Sequence, residues 1–414
     1  MNNFELETIA YLRSPHAIRQ QCDRVFQLGQ QNQLKYFQLD LSQLDKTADY
    51  VIKIIEQEYP TLEIPFHSRW RHFEIDNIPR IQELDQALAH LSAIDRAKSK
   101  FDLVIISVLL DAGAGQNWQY YEKESGNTYH RSEGLAISTF RMFCQGYFSS
   151  NPDFPYQVDA QKLEKMTLEK LAQGFQISSE NQIIGLEGRL KLLQNLGRVL
   201  REYPLLFGND ENPRPGYLAR HLQETRFSGL KTIRASEVLN AILKGFGEIW
   251  PGSLELFGVK LGDIGKYSPL KSDNITEEYI PFHKLSQWLT YSLLEPLKEM
   301  GLEVIDLEEL TGLPEYRNGG LCIDMGSLKI KDTNLLSRSH LPHAEIIVEW
   351  RGLTVILLDK IAEIIRQKLS LNESELPMVK ILQGGTWQAG RKIAQELRQR
   401  GIPPLEIESD GTVF

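Results

Sequence analysis

The sequence has little cysteine, no metal-binding signature, no long basic run and no apolar stretch of membrane-spanning length. Its cysteines, Cys22, Cys144 and Cys322, are three in number, far apart and never in a C-x-x-C pair. That excludes a disulfide framework and fits a reducing compartment. No H-E-x-x-H, C-x-x-C or EF-hand pattern occurs, and His340 and His343 have no third ligand at a known spacing, so no metal is expected. The longest apolar run, near Leu103–Leu110, is too short to span a bilayer. Glu5 and Glu7 stand where a signal peptide would be basic and then apolar. A soluble, cytoplasmic protein with no membrane partner is expected. Lys and Arg total 46 against 55 Asp and Glu, a formal net charge of -9. That balance repels a phosphate backbone, so the expected partner is a small molecule and not a nucleic acid.

What is present is a globular composition, with 42% hydrophobic and 24% charged residues over 414 positions. It suits one large domain, 1–414, with lobes expected at 1–100, 101–275 and 276–414. There is no internal repeat. Helical periodicity recurs: Val51, Ile54 and Ile55; Ile81, Leu84 and Leu88; Leu186, Leu190, Leu193, Leu196 and Leu200. Strand-like patterns are few and short, at Leu254–Leu261 and Val304–Ile305. The expected class is mainly α with a few short strands (α+β).

Several stretches invite a chemical reading and then narrow it. Phe101–Leu110 reads as a buried strand, and Ala112–Gly115 follows with a G-x-G. The third glycine of a dinucleotide loop would fall on Trp118, so a Rossmann reading is rejected. Asp111, a carboxylate at the end of a buried run, must be hydrated, paired or bound to a ligand. Gly262–Tyr267 resembles a phosphate loop only superficially. Lys260 replaces its first glycine and Tyr267 its Ser or Thr, which leaves Asp263 as a pocket candidate. Ile64–Phe73 mixes aromatics, Arg and His, as a ligand pocket or as rings packed on the core. The helix opening near Pro281 has Trp288 among its core residues and carries His283, Lys284, Gln287 and Tyr291 as polar groups, which are surface or, beside a cleft, sugar or phosphate contacts. Arg189, on the side of the Leu186–Leu200 helix, reads as part of a solvated or ion-paired face. Gly384-Gly385-Thr386, read as a helix N-terminus, suits either a phosphate seat or a Thr386 cap. Ile346–Trp350 reads as a strand or buried segment.

The stretch with most chemical content is Leu313–Gly326. Glu315 and Asp324 flank Asn318-Gly319-Gly320, read as a turn, with Tyr316 and Arg317 beside the first acid. Two carboxylates near a flexible corner make an acid/base or nucleophile pair, or an ordinary loop. No Ser or Cys nucleophile motif is visible.

Pro281–Pro296, Leu310–Gly320 and the tail from Gly385 to Phe414 resemble the uracil-catabolism protein four family of fungi and bacteria. The likeness runs over nearly the whole chain. It implies breakdown of a ribosylurea to urea and a ribose sugar, hence cleavage of an N-glycosidic bond. A weaker resemblance is to the queuosine-salvage nucleosidases, which have a helical DNA-glycosylase-like fold. Gly185–Lys191 is similar to their Leu-Glu-Glu-Arg helix start, and Ile347–Gly352 to their Val-Glu-Ile-Arg-Gly. Glu315-Tyr316-Arg317, followed by Gly326–Lys329, resembles their Asp-Tyr-Arg and Gly-Ala-Leu-Lys pair. This resemblance implies that Glu315 is the catalytic carboxylate, one methylene longer than its counterpart. Asp324 and Asp111 then become candidates for the ribose hydroxyls, and Arg317, Lys284 and Arg189 for a 5′-phosphate. Tyr316, Asn318, Trp288, Asp263 and Trp118 complete the expected substrate contacts, with no metal or organic cofactor. The alternatives are an amidohydrolase acting on the ureido C–N bond and a nucleotide-binding regulator without turnover.

Overall fold

The computed structural model describes residues 1–115, 117–209, 211–225, 231–251 and 253–408. Gln116 of the glycine loop and Ser409–Phe414 of the family-like tail lie outside the described residues. Helices dominate, and each sheet among the described residues has two strands. The mainly α class with a few short strands is therefore what the chain forms. No described helix is long and apolar enough to cross a membrane.

The described residues cluster into two compact units. The first is built from Met1–His67, Leu254–Gln287 and Asp306–Glu408. The second is built from Ser68–Ser253 and Trp288–Ile305. Neither follows the continuous lobe boundaries expected from the sequence.

In the first unit the Glu345–Leu369 helix is the axis, packed by the Pro15–Gln30 and Leu44–Glu58 helices. Sixteen of its positions are buried, from Ile346 to Ile365. Ile346–Trp350, read as strand or buried segment, is its first turns. Glu349 is wholly buried there, and its carboxylate accepts from the backbone N–H groups of Lys35, Tyr36 and Phe37 and from the Tyr267 hydroxyl. An acid so placed is tolerable only because its lone pairs are all served. It fixes the chain just before strand Phe37–Leu39, which pairs antiparallel with Leu328–Ile330. Ile264–Lys266 and Tyr279–Pro281 form a second antiparallel pair. Leu254–Leu261 is a short hairpin turning at Phe257-Gly258, where both residues have positive φ.

In the second unit the Ala93–Leu109 helix is the centre, with the Arg131–Cys144 helix beside it. Phe101–Leu110 is thus helix, not strand. Apolar residues all round a helix look like a strand in sequence, and only the buried surroundings separate the two. Asp102, fully buried within it, accepts from the N–H groups of Val158 and Gly216 and from the Arg214 guanidinium. Another buried network joins Arg80 and Arg141 to Glu122, with the Tyr129 hydroxyl on Arg80. Burial pushes the Glu122 carboxyl up, but its bonds to Arg80, Ser125 and Arg141 outweigh this and hold it at about 2. Thr232–Arg234 and Glu303–Ile305 pair in parallel, the latter where a strand was expected.

Candidate active site

The Leu313–Gly326 stretch is not a turn. Tyr316–Asp324 is a helix, and Glu315 is its N-cap. The two glycines are needed for packing rather than for a corner. A Cβ on Gly319 would stand 2.7 Å from the Trp350 ring, whose indole N–H donates to the Gly319 carbonyl at 3.0 Å. Gly390 lies so close to the Arg317 carbonyl that a Cβ there would overlap it. Gly319 and Gly390 therefore let this short helix sit close against its neighbours.

Glu315 is an unusual cap. Ser, Thr, Asp and Asn hold that position more easily, since a longer side chain must fold back. Its Oε1 accepts from the Asn318 N–H at 2.7 Å and its Oε2 from the Arg317 N–H at 2.9 Å. The residue is 8% exposed. Burial raises its pKa, against the lowering effects of Lys284, the two backbone N–H groups and the Arg317 charge. The net direction is up.

Lys284 is set in place from below. Asp263 and Arg351 form a bidentate pair, both bonds 2.7 Å. The same Asp263 carboxylate accepts from the Lys284 N–H at 2.9 Å, which fixes the start of the Lys284–Glu299 helix. The Arg351 Nε donates to the Pro314 carbonyl, just before Glu315. Asp263 is thus a positioning group, joining the elements that carry Lys284 and Glu315. Burial pushes its carboxyl up, but Arg351 and the Lys284 N–H outweigh this and hold it below the usual range.

His67 adds to the same site. Its Nδ1 lies 3.0 Å from the Gln383 Oε1, and its ring is 6.1 Å from that of Trp387. Burial lowers its pKa to about 4, against the Gln383 bond and with the help of the Lys284 charge, so the imidazole is neutral at pH 7. Arg317 lies over the other aromatic neighbours, 5.2 Å from the Tyr316 ring centre and 4.9 Å from that of Trp387. Lys284 acts electrostatically on both Glu315 and His67, and Trp387 lies against both His67 and Arg317. Glu315, Lys284, His67, Arg317 and Trp387 are one cluster.

Gln383 and Trp387 come from the Gly-Gly-Thr stretch, which forms a π turn, Leu382–Thr386, between the Met378–Ile381 and Trp387–Leu397 helices. It is no helix N-terminus, so neither a phosphate seat nor a Thr386 cap applies. Its glycines face Ile64, Val51 and Ile55. Gln383, which meets His67, lies within this turn, and π turns are frequent at functional sites.

The remaining candidates are placed as follows. Asp324, at the far end of its helix from Glu315, is 3% exposed and bidentate with Arg398 at 2.7 and 2.5 Å. Asn318 is buried, its amide N–H donating to the Leu313 carbonyl at 3.0 Å. In the second unit, Asp111 pairs with the buried Arg69 at 2.5 Å, and Ser132 gives its hydroxyl to Asp111 at 2.6 Å. Trp288 lies against Arg69, 5.5 Å from guanidinium carbon to ring centre. Arg189 is fully buried and donates to the carbonyls of Leu110, Ala112, Gly113 and Ile184. It therefore holds the loop after Asp111, and its side chain is occupied by backbone where a phosphate contact was expected. Trp118 is buried on Phe175 and donates its indole N–H to the Phe175 carbonyl at 2.9 Å. Sequence reasoning did not single out His67, Gln383, Trp387 or Arg69. Two of them lie in the aromatic and cationic Ile64–Phe73 stretch, which was itself the signal. No group of His, Cys, Asp and Glu able to hold a metal occurs among the described residues.

A buried carboxylate, a lysine, an arginine and a neutral imidazole are thus gathered on a mainly helical frame. The chain itself belongs to the family described as protein of unknown function (DUF1688), whose model matches residues 11–414. It is 39% identical over 417 residues to "Protein urg3" of Schizosaccharomyces pombe, with 99% of each chain covered. It is 37% identical over 439 residues to "Uracil catabolism protein 4" of Lachancea kluyveri, covering 98% of this chain and 99% of that one.

Proposed function

We propose that this chain acts in uracil catabolism as a hydrolase that splits the N-glycosidic bond of ribosylurea, or of its 5′-phosphate, into urea and ribose or ribose phosphate. The role in uracil catabolism is suggested by the name of the Lachancea kluyveri relative. The observation that carries the reaction is Glu315, a buried carboxylate fixed by two backbone N–H groups beside Lys284.

Breaking the C1′–N bond builds positive charge on the ribose ring. A preorganised carboxylate stabilises that charge or captures the carbon, without reorienting at the moment of reaction. Water supplies the hydroxyl that ends on C1′, and the departing urea nitrogen takes a proton. Each Glu315 oxygen accepts one backbone N–H, which fixes the direction in which the carboxylate faces. The cations Lys284 and Arg317 would favour a phosphorylated sugar. Asp263 supports the reaction by holding Lys284 in position.

The test is product analysis with ribosylurea and its 5′-phosphate side by side. The wild type should release urea and sugar, and Glu315→Gln should lower that rate by roughly 10²–10⁴-fold with its melting temperature nearly kept. Full activity in the variant would remove Glu315 from the reaction. Ammonia and carbon dioxide in place of urea would point to ureido C–N cleavage.

A further inference from the structure

Eleven described non-glycine residues have a backbone φ in the left-handed region. Ten of them are exposed or half-buried, as turn residues usually are. His283 alone is buried, at 2% exposed, with φ 45°. A side chain at such a φ is crowded by its own backbone. Strain of this kind persists only where the surroundings impose it, and it collects at working sites. The next residue is Lys284.

Several hydrogen bonds impose the conformation. The His283 N–H donates to the Asp263 carbonyl at 3.1 Å, beside the Phe282 N–H at 3.0 Å. The His283 carbonyl accepts from the Gln287 N–H at 2.9 Å, in the first turn of the Lys284–Glu299 helix. The imidazole Nε2 lies 3.0 Å from the Leu12 carbonyl. A carbonyl can only accept, so that nitrogen carries a proton and donates it. Leu12 ends the Asn3–Leu12 helix, whose last carbonyls need partners from outside that helix. Its side chain is anchored in an apolar cluster with Ile9, Leu256, Leu261, Ile264 and Tyr279. The imidazole is thus a strut between that cluster and the start of the helix that carries Lys284. Asp263 secures the adjoining position, taking the Lys284 N–H on its carboxylate at 2.9 Å. Lys284 acts electrostatically on both Glu315 and His67. The point from which its side chain sets out decides how strongly it does so, because the interaction falls with distance.

We infer that His283 is a positioning residue: its left-handed backbone, braced between the Asp263 and Leu12 carbonyls, aims Lys284 at Glu315 and His67. Its consequence for urea release rests on the Glu315 reading, whereas the positioning itself does not.

The test is NMR titration of the full chain carrying isotope-labelled histidine, with the His67 signal assigned by a His67→Gln variant. His67 titrates at about 4 in the wild type, held down in part by the Lys284 charge. Lys284→Met should raise that midpoint. His283→Ala should raise it too, because alanine disfavours the left-handed region and the lysine moves with the backbone. His283→Asn should keep the midpoint near the wild-type value, since asparagine visits that region readily. Both substitutions at 283 remove the same imidazole, so the difference between them reports the backbone and not a lost charge. Should the alanine variant fail to fold, His283→Gln should raise the midpoint, because it keeps an N–H for the Leu12 carbonyl but not the tolerance of the left-handed region. A folded alanine variant with the wild-type midpoint overturns the proposal, and so does an equal rise in the alanine and asparagine variants. An unmoved midpoint in Lys284→Met overturns it as well, for Lys284 would then not reach His67. The titration needs no turnover, so it stands or falls apart from the role of Glu315.

Discussion

At the scale of single residues, Glu315 and Asp263 are both buried acids with opposite consequences. Burial raises Glu315 above the ordinary 4.5 of a glutamic acid. A carboxylate that must be ionised to act loses function as pH falls through its own pKa. The acid limb of kcat/KM for urea release should therefore have its midpoint above 4.5, and Glu315→Asp, if active, should move that midpoint. Asp263 is held below its ordinary 3.8 by Arg351. A depressed carboxyl contributes stability that is present above its unfolded pKa and is lost as pH falls through the folded one. That contribution should thus persist in the wild type down to about pH 3.8 and fade below it. Asp263→Asn removes the carboxylate charge that pairs with the Arg351 guanidinium, which is 4% exposed. The expected cost is about 3–5 kcal/mol, read by denaturant unfolding at pH 7, because a buried charge is then uncompensated.

At the scale of elements, the site depends on close helix contacts. The Tyr316–Asp324 and Trp387–Leu397 helices pack on each other through Gly390, which leaves room for the Arg317 carbonyl. Gly390→Ala should cost about 1–3 kcal/mol by overpacking, seen as a lower melting temperature. It should also lower kcat for urea release, since it displaces the helix that Glu315 caps. A surface Gly→Ala in a helix would do the reverse and stabilise. The sequence made the amphipathic helices legible, because Leu186–Glu202 and Leu44–Glu58 each bury one stripe. It failed where helices are buried all round, as at Phe101–Leu109 and Ile346–Trp350, where periodicity vanishes. It failed again where glycine serves packing: Asn318-Gly319-Gly320 has the composition of a turn, yet it is helix, capped by Glu315 and packed on the Trp350 ring, thirty-one positions from Gly319. The site was legible in part for the same reason. Glu315 and Lys284 lie in segments with marked local composition, whereas Gln383 meets His67 across 316 positions.

At the scale of the molecule, each compact unit is assembled from separated stretches of chain. A fragment covering 68–253 lacks Glu303–Ile305, the partner of strand Thr232–Arg234, and Ser292, which accepts from the Arg69 N–H. It should be protease-sensitive and lack a cooperative thermal transition, whereas 68–305 should show one; circular dichroism with limited proteolysis distinguishes them. The same threading sets an order in time during synthesis. The described segments of the second unit have left the ribosome once Ile305 has emerged. The Pro15–Gln30 and Leu44–Glu58 helices must wait much longer, because the Glu345–Leu369 helix on which they pack is made near the end. Glu349 then reaches back across 312 residues to the Phe37 N–H. During that interval Ile18, Val25 and Phe26 have no native cover from that helix. The amino-terminal helices are accordingly the part of the nascent chain for which a holding chaperone would have most to do.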